Sequence, residues 1–269
     1  RLNFKPRVFI SENDLKKIAS GVKKPDGILT DLDLSGVQFK PFGWLYLNQT
    51  LKAPNNCITH LNLSDTHIVD TQYDKADVND IFDGFSVNDI LKDFSTLFES
   101  LHLHQKVTHL FMRKLDADFI KWTLKPLKNT GNKQNIWQSV LTSVSSKIQH
   151  LDVSSNPQLT ERTHDTSLLE SIMTALTQET CSITSIDLSH CNIGDNDVTY
   201  IVDVLKNSSN KITHMNLEGN NILEQGTEKI MKGLTHMSCR ITTFDFSVPP
   251  NESPEIQNKI ADHMKDVLS

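Results

Sequence analysis

Ile183-Thr184-Ser185-Ile186-Asp187-Leu188-Ser189-His190-Cys191-Asn192-Ile193 is followed 29 residues later by Ile212-Thr213-His214-Met215-Asn216-Leu217-Glu218-Gly219-Asn220-Asn221-Ile222. The two stretches share apolar residues at a first position and at +3, +5 and +10, with a small polar or thiol side chain at +8. Alternation of this kind buries one face of a short strand. The residue at +8 then has to close a buried turn, by hydrogen bonding for Asn or by filling a small apolar space for Cys.

Outward from these copies the same spacing recurs at Leu29/Leu32/Leu34, Ile58/Leu61/Leu63, Val107/Leu110/Met112, Ile148/Leu151/Val153 and Ile241/Phe244/Phe246. Successive starts lie 29, 49, 41, 35, 29 and 29 residues apart, so a unit of 29 repeats with insertions in the middle. Asn156 occupies +8 in the copy from Ile148, whereas Val37, Thr66 and Leu115 depart from it, and less regular turns are expected there. Between strands the apolar period becomes helical: Val198, Ile201, Val202 and Leu205, then Ile230, Met231 and Leu234, with a further helix from Thr163 to Leu176. Each unit reads as strand, turn, helix. A helix is wider than a strand, so stacking curves the array, with parallel strands inside and helices outside.

These residues match the L-x-x-L-x-L-x-x-N/C-x-L signature, and the chain resembles leucine-rich-repeat proteins of the ribonuclease-inhibitor type. The resemblance covers Ile28 to Phe246 and implies an α/β horseshoe solenoid of about seven repeats. The Ile-Thr-His-Leu-Asn-Leu-Ser style, the 29-residue step and the irregular insertions are also similar to Legionella-type leucine-rich-repeat effectors delivered into host cells. That likeness implies a module that recognises a host protein. Residues 1–27 are expected as an N-terminal cap with a helix N-capped by Ser11 through Leu15 and Ile18, and Asp14 at its third position. Residues 28–246 form the solenoid, with long insertions at 69–106 and 118–147. Residues 247–269 form a C-terminal capping helix with the stripe Ile256, Ile260, Met264 and Val267.

Composition narrows the function classes. A net charge of -6 with 22% charged residues gives no basic character for nucleic acid. No apolar run approaches the roughly 18 residues a membrane span needs, and the start lacks a signal-peptide core. Cys57, Cys181, Cys191 and Cys239 form no C-x-x-C pair and sit beside apolar strand residues, as buried reduced thiols would. The triplet Asn62-Leu63-Ser64 falls inside a strand, where a glycan would obstruct packing. A monomeric, cytosolic setting is expected, or the host cytosol for a delivered effector.

The strand positions that leave the core are the candidate site. His60, Asn62, His109, Phe111, Arg113, His150, Asp152, Asp187, His214, Asn216 and Glu218 are expected to face the concave side and bind a protein partner. Seven acids, Asp31, Asp33, Asp65, Asp152, Asp187, Glu218 and Asp245, against Arg113 and Lys114 make that side mildly negative, which suits a basic or polar partner patch. The His60, His109 and His150 column invites a zinc reading, yet ladder spacing does not converge three rings on one ion, and a polar surface without metal or other cofactor is expected.

Segment 69–106 carries eight acids and three lysines, with Asp74 to Phe85 a candidate protruding element, and Asp77-Val78-Asn79 lacks the glycine of a calcium loop. A basic stretch, Arg113, Lys114, Lys121, Lys125, Lys128 and Lys133, surrounds Trp122 and Trp137, which read more readily as core. No phosphate loop, G-x-G-x-x-G, H-E-x-x-H or G-x-S-x-G occurs, and no cysteine begins the Cys-Leu-x-Asp motif of bacterial ubiquitin ligases. The expectation is a noncatalytic interaction module. The alternative is a substrate-targeting domain of a larger enzyme such as a ubiquitin ligase.

Overall fold

A computed structural model of the chain describes residues 2–3, 14, 17–18, 20, 29–39, 47, 50–53, 55–68, 106–115, 120, 135–143, 145–163, 165–247, 254–255, 258 and 262. The chain divides into two compact units, Arg1–Phe111 and Met112–Ser269.

The first unit holds β1 (Leu2–Asn3), β2 (Asp31–Asp33), β3 (Gln38–Phe39), β4 (His60–Asn62), β5 (His67–Ile68) and β6 (His109–Phe111). Strands β1, β2, β4 and β6 pair in that order, all parallel. Their register sets Leu32 opposite Leu61 and Leu61 opposite Leu110, so the +3 positions align across the insertion. β3 and β5 form a small second parallel pair. The sequence pattern did not anticipate β1, whose Leu2 lies opposite Leu32 and Asn3 opposite Asp33. The N-terminal segment therefore adds a strand to the sheet as well as helical residues at Asp14, Lys17, Ile18 and Ser20. Ser11 and Leu15 lie outside the described residues.

The second unit holds α1 (Ile136–Thr142), β7 (His150–Asp152), a single 3-10 turn (Pro157–Thr160), α2 (Leu168–Leu176), β8 (Ser185–Asp187), α3 (Val198–Lys206), β9 (His214–Asn216), α4 (Glu224–Leu234) and β10 (Thr243–Asp245). β7 to β10 pair in sequence order, each parallel to the next, and each helix packs on the one that follows. Helix α2 begins later than its apolar period suggests. Thr163 and Thr166 pair backbone to backbone around Asp165 (φ 68°), and Ser167 then caps the helix by accepting from the Glu170 amide at 3.1 Å.

The first, +3 and +5 positions form the core: Ile58, Leu61, Leu63, Ile183, Ile186, Leu188, Ile212, Met215 and Leu217 are all buried, as is Trp137. Each such side chain contributes about 1.5–3 kcal/mol of burial. At the ends, Leu29, Ile241 and Phe246 are only half-buried. Cys181 and Cys191 are buried thiols, but Cys57 and Cys239 are half-buried, contrary to the expectation of four buried ones. Among the described residues, no helix is long and apolar enough to cross a membrane.

Turn closure follows a common backbone path in the six described turns. Asn220 Oδ1 accepts from the Cys191 and Ile193 amides at 2.9 and 3.1 Å, while its Nδ2 donates to the Leu188 and Leu217 carbonyls at 2.9 and 2.8 Å. Asn156 does the same for the Leu115 amide and the Met112 carbonyl. Cys191 fills the corresponding space, its Sγ donating to the Val153 carbonyl at 3.2 Å. The residue just before, at +7, is left-handed in the six described turns: Gly36 (φ 69°), Asp65 (56°), Lys114 (50°), Ser155 (57°), His190 (56°) and Gly219 (68°). The turns containing Val37, Thr66 and Leu115 were expected to be less regular, and they are not. Val37 and Leu115 are buried in place of the Asn, and Thr66 Oγ1 donates to the Leu63 carbonyl at 2.8 Å. The backbone geometry is set by the strand-to-turn path, and several side chains can fill it. The pattern is an α/β leucine-rich-repeat solenoid.

Candidate partner-binding face

The face opposite the core is built from four columns of side chains. At +1 stand threonines whose hydroxyls donate to the preceding strand: Thr59 to the Thr30 carbonyl, Thr108 to Thr59, Thr213 to Thr184 and Thr242 to Thr213, at 3.1 to 3.3 Å. The same hydroxyls lie 2.9 Å from Nδ1 of His60 and of His109, and 2.8 Å from Nδ1 of His214. Each Thr-His pair thus orients its imidazole through Nδ1. Cross-strand spacing of about 4.8 Å brings neighbouring rings into contact. His60 and His109 stack with centroids 4.1 Å apart and planes 14° apart, and Asp31 Oδ1 lies 4.0 Å from His60 Nδ1.

The +4 column has a second role that its polarity concealed. Asp33, Asn62, Asp152, Asp187 and Asn216 each turn Oδ1 onto the amide two residues ahead, at 2.9 to 3.1 Å. Four of the expected contact residues, Asn62, Asp152, Asp187 and Asn216, are therefore partly committed to their own turns. The other oxygen of Asp187 accepts from Asn216 Nδ2 at 3.3 Å, and that of Asp152 accepts from Arg113 through Nε and Nη2. Asp152 is buried while Arg113 is about half exposed, and the hydrogen bond to Asp152 holds the guanidinium above its ordinary range. Arg113 is thus the counterion of a buried carboxylate. No local pattern signals this pair, because 39 residues separate its members. The +4 role had a signal in the recurrence of Asp or Asn before a short polar residue.

Phe111 has no oxygen for this role and is half-buried opposite Asn62. His60, His109, His150 and Asp187 are half-buried as well, and His214 and Glu218 are exposed. At +7, a Cβ on Gly219 would lie 2.2 Å from His190 Nδ1, so the ring of one turn covers the backbone of the next. Among the described residues no three His, Cys, Asp or Glu side chains are grouped to hold a metal ion. Stacking sets the two imidazoles in parallel layers and does not converge their nitrogens. Burial pushes the Cys191 thiol from 9.0 up to about 12, which removes it as a nucleophile at neutral pH. The acidic segment Asp74 to Phe85 and Lys121, Trp122, Lys125, Lys128 and Lys133 lie outside the described residues.

Comparison with known proteins gives the following. The Leucine Rich repeat family model matches residues 180–202. No curated protein sequence matches the chain. Among solved structures, Leiomodin-1 Actin-Binding Site 2 is similar at 19% identity over 48% of this chain and 71% of that one, with a TM-score of 0.37. The leucine-rich repeat-containing protein LegL7 from Legionella pneumophila is similar at 13% identity over 94% of this chain and 77% of that one, with a TM-score of 0.45. The matched residues 180–202 hold β8, its turn and the first part of α3, one unit of the α/β leucine-rich-repeat solenoid fold.

Proposed function

We propose that this protein is a noncatalytic recognition module that binds a partner protein on the open face of its strands. One observation carries the reading. The +2 column reads Asp31, His60, His109, His150, Ser185, His214 and Thr243, a run of polar side chains that neither core burial nor turn closure requires. Those side chains stand on a rigid backbone that does not dictate them, which is how a scaffold presents a contact surface. Glu218 and Asp245 are exposed on the second unit and Asp31 and Asp33 are half-buried on the first, which favours a partner with basic or polar groups. The repeat style and irregular insertions support a delivered effector acting on a host protein in the cytosol, as a monomer. The buried thiols Cys181 and Cys191 accord with a reducing compartment.

The test uses a photo-crosslinking amino acid at position 214 on the strand face or at position 206 at the end of α3. A partner captured at 214 and not at 206, and lost when Glu218 and Asp245 become Lys, supports the reading. Equal capture at both positions would overturn it.

A further inference from the structure

Every +4 residue with a side-chain oxygen among Asp33, Asn62, Asp152, Asp187 and Asn216 closes the turn that follows it. Phe111 carries no oxygen and forgoes that bond at the end of β6, where its register partner Asn62 keeps it. A departure from a local rule is expected where function, not folding, constrains a position. The ring is half-buried and stands on the open face, not in the core. Its column within the first unit reads Asp33, Asn62, Phe111 on consecutive rungs. The +2 column beside it reads Asp31, His60, His109.

We propose that Phe111 and Asp33 receive an arginine side chain of the partner protein. This rests on the open-face reading above and names the chemistry of one contact within it. A guanidinium seated over Asn62 has an aromatic ring on one side and a carboxylate on the other, each one rung, about 5 Å, away. Its plane stacks on the ring and its edge donors face the carboxylate, a combination that arginine supplies and the compact, strongly hydrated lysine ammonium does not. Asp33 keeps one oxygen on the Ser35 amide at 3.1 Å, which fixes the carboxylate in place without neutralising it. The stacked imidazoles of His60 and His109 floor the adjoining column and offer further flat surface.

The experiment is a titration of the whole protein with tri-arginine peptide at low salt, followed through the ring signals of His60 and His109 by NMR. Tri-lysine is the control. Tri-arginine is expected to shift those signals, tri-lysine to shift them less, and Phe111→Asn to weaken the effect roughly three- to thirty-fold. Because Asn restores the missing turn bond, Phe111→Asn is also expected to keep or raise the melting temperature. Asp33→Asn, which retains the turn oxygen and removes the charge, should weaken binding several-fold while leaving the fold intact.

No shift with tri-arginine, or an unchanged shift in both variants, overturns the proposal. So does a lower melting temperature in Phe111→Asn, since the ring would then be a packing element. If these fail while crosslinking at position 214 still captures a partner lost on changing Glu218 and Asp245, the open-face reading stands and the arginine contact alone falls.

Discussion

The repeat starting at Ile212 and the repeat starting at Val107 share one apolar pattern but fill their turns differently. The first carries Asn216 at +4, Gly219 at +7 and Asn220 at +8, and each does what the turn geometry asks. The second carries Phe111, Arg113, Lys114 and Leu115 at +4, +6, +7 and +8. Its backbone still adopts the same left-handed step, at Lys114. A solenoid tolerates this because neighbouring repeats set the path, so a few side chains in one repeat can be released from closing the turn. The regular repeat should be where substitution harms stability most, and the irregular one where stability can be gained.

The largest effect is expected in the regular repeats. Leu188 is fully buried between two strands' worth of apolar side chains, so Leu188→Ala should cost roughly 2–5 kcal/mol. Thermal or urea denaturation would measure it. A loss below about 1 kcal/mol would mean that the core register is wrong. Next comes Asn220→Ala, which strands two amides and two carbonyls of the buried turn and should cost about 2–3 kcal/mol. The equivalent change at Thr66, whose hydroxyl serves one carbonyl, should cost about half as much. Equal losses would erase the distinction between an Asn-closed and a substituted turn.

Arg113→Ala follows at about 1–2 kcal/mol, because it leaves the buried Asp152 without its counterion. Arg113 thus has a structural task beside the contact role expected of it. Arg113→Ala together with Asp152→Asn should recover most of the loss, as the amide keeps the turn oxygen and removes the charge. A double variant no more stable than the single would break that link.

How legible these differences were in the chain depends on the kind of constraint. Apolar residues at the first, +3 and +5 positions are required by burial and leave a strong periodic trace, so the parallel strands and the helices after Ile193 and Leu223 could be read directly. The left-handed +7 column left almost none. Only Gly36 and Gly219 advertise it, while Asp65, Lys114, Ser155 and His190 adopt the same conformation under tertiary pressure. The contact face was legible as an alternation but not as a division of labour. Asp152 and Asp187 read as exposed acids until their hydrogen bonds to Ser154 and Ser189 assigned them to turns. Arg113 and Asp152 meet across 39 residues of chain, so no local pattern signals the pair.

Thiol chemistry separates buried from half-buried positions more gently. Burial raises the folded-state pKa of Cys191 from 9.0 to about 12, so the folded form retains its proton where the unfolded chain loses it. Stability from this group is therefore fully present below about pH 9 and falls as pH rises toward 12, by at most about 1.4 kcal/mol per unit. Cys191→Ala should flatten that alkaline decline while lowering stability at neutral pH. At pH 8, a thiol reagent should label Cys57 and Cys239 before Cys181 or Cys191. Early labelling of Cys191 in the folded protein would contradict the closed turn.

The smallest expected effect runs in the opposite direction. A residue with a Cβ in the left-handed region carries a steric cost of about 1–2 kcal/mol, which glycine avoids and which Asp partly offsets through local hydrogen bonds. Lys114 sits there at φ 50° with an exposed side chain, whereas Asp65 sits there at φ 56° with the residue type that tolerates it best. Lys114→Gly should therefore stabilise the fold by about 0.5–1 kcal/mol, the gain being reduced by the greater freedom of glycine in the unfolded chain. Asp65→Gly should gain less or nothing. Gly219→Ala, by contrast, must lose, since its φ is 68° and the His190 ring occupies the space a methyl needs. Ranking the three by denaturant midpoint isolates backbone strain from contact loss. If Lys114→Gly destabilises while Gly219→Ala is neutral, the +7 column is not the shared left-handed step that unites regular and irregular repeats.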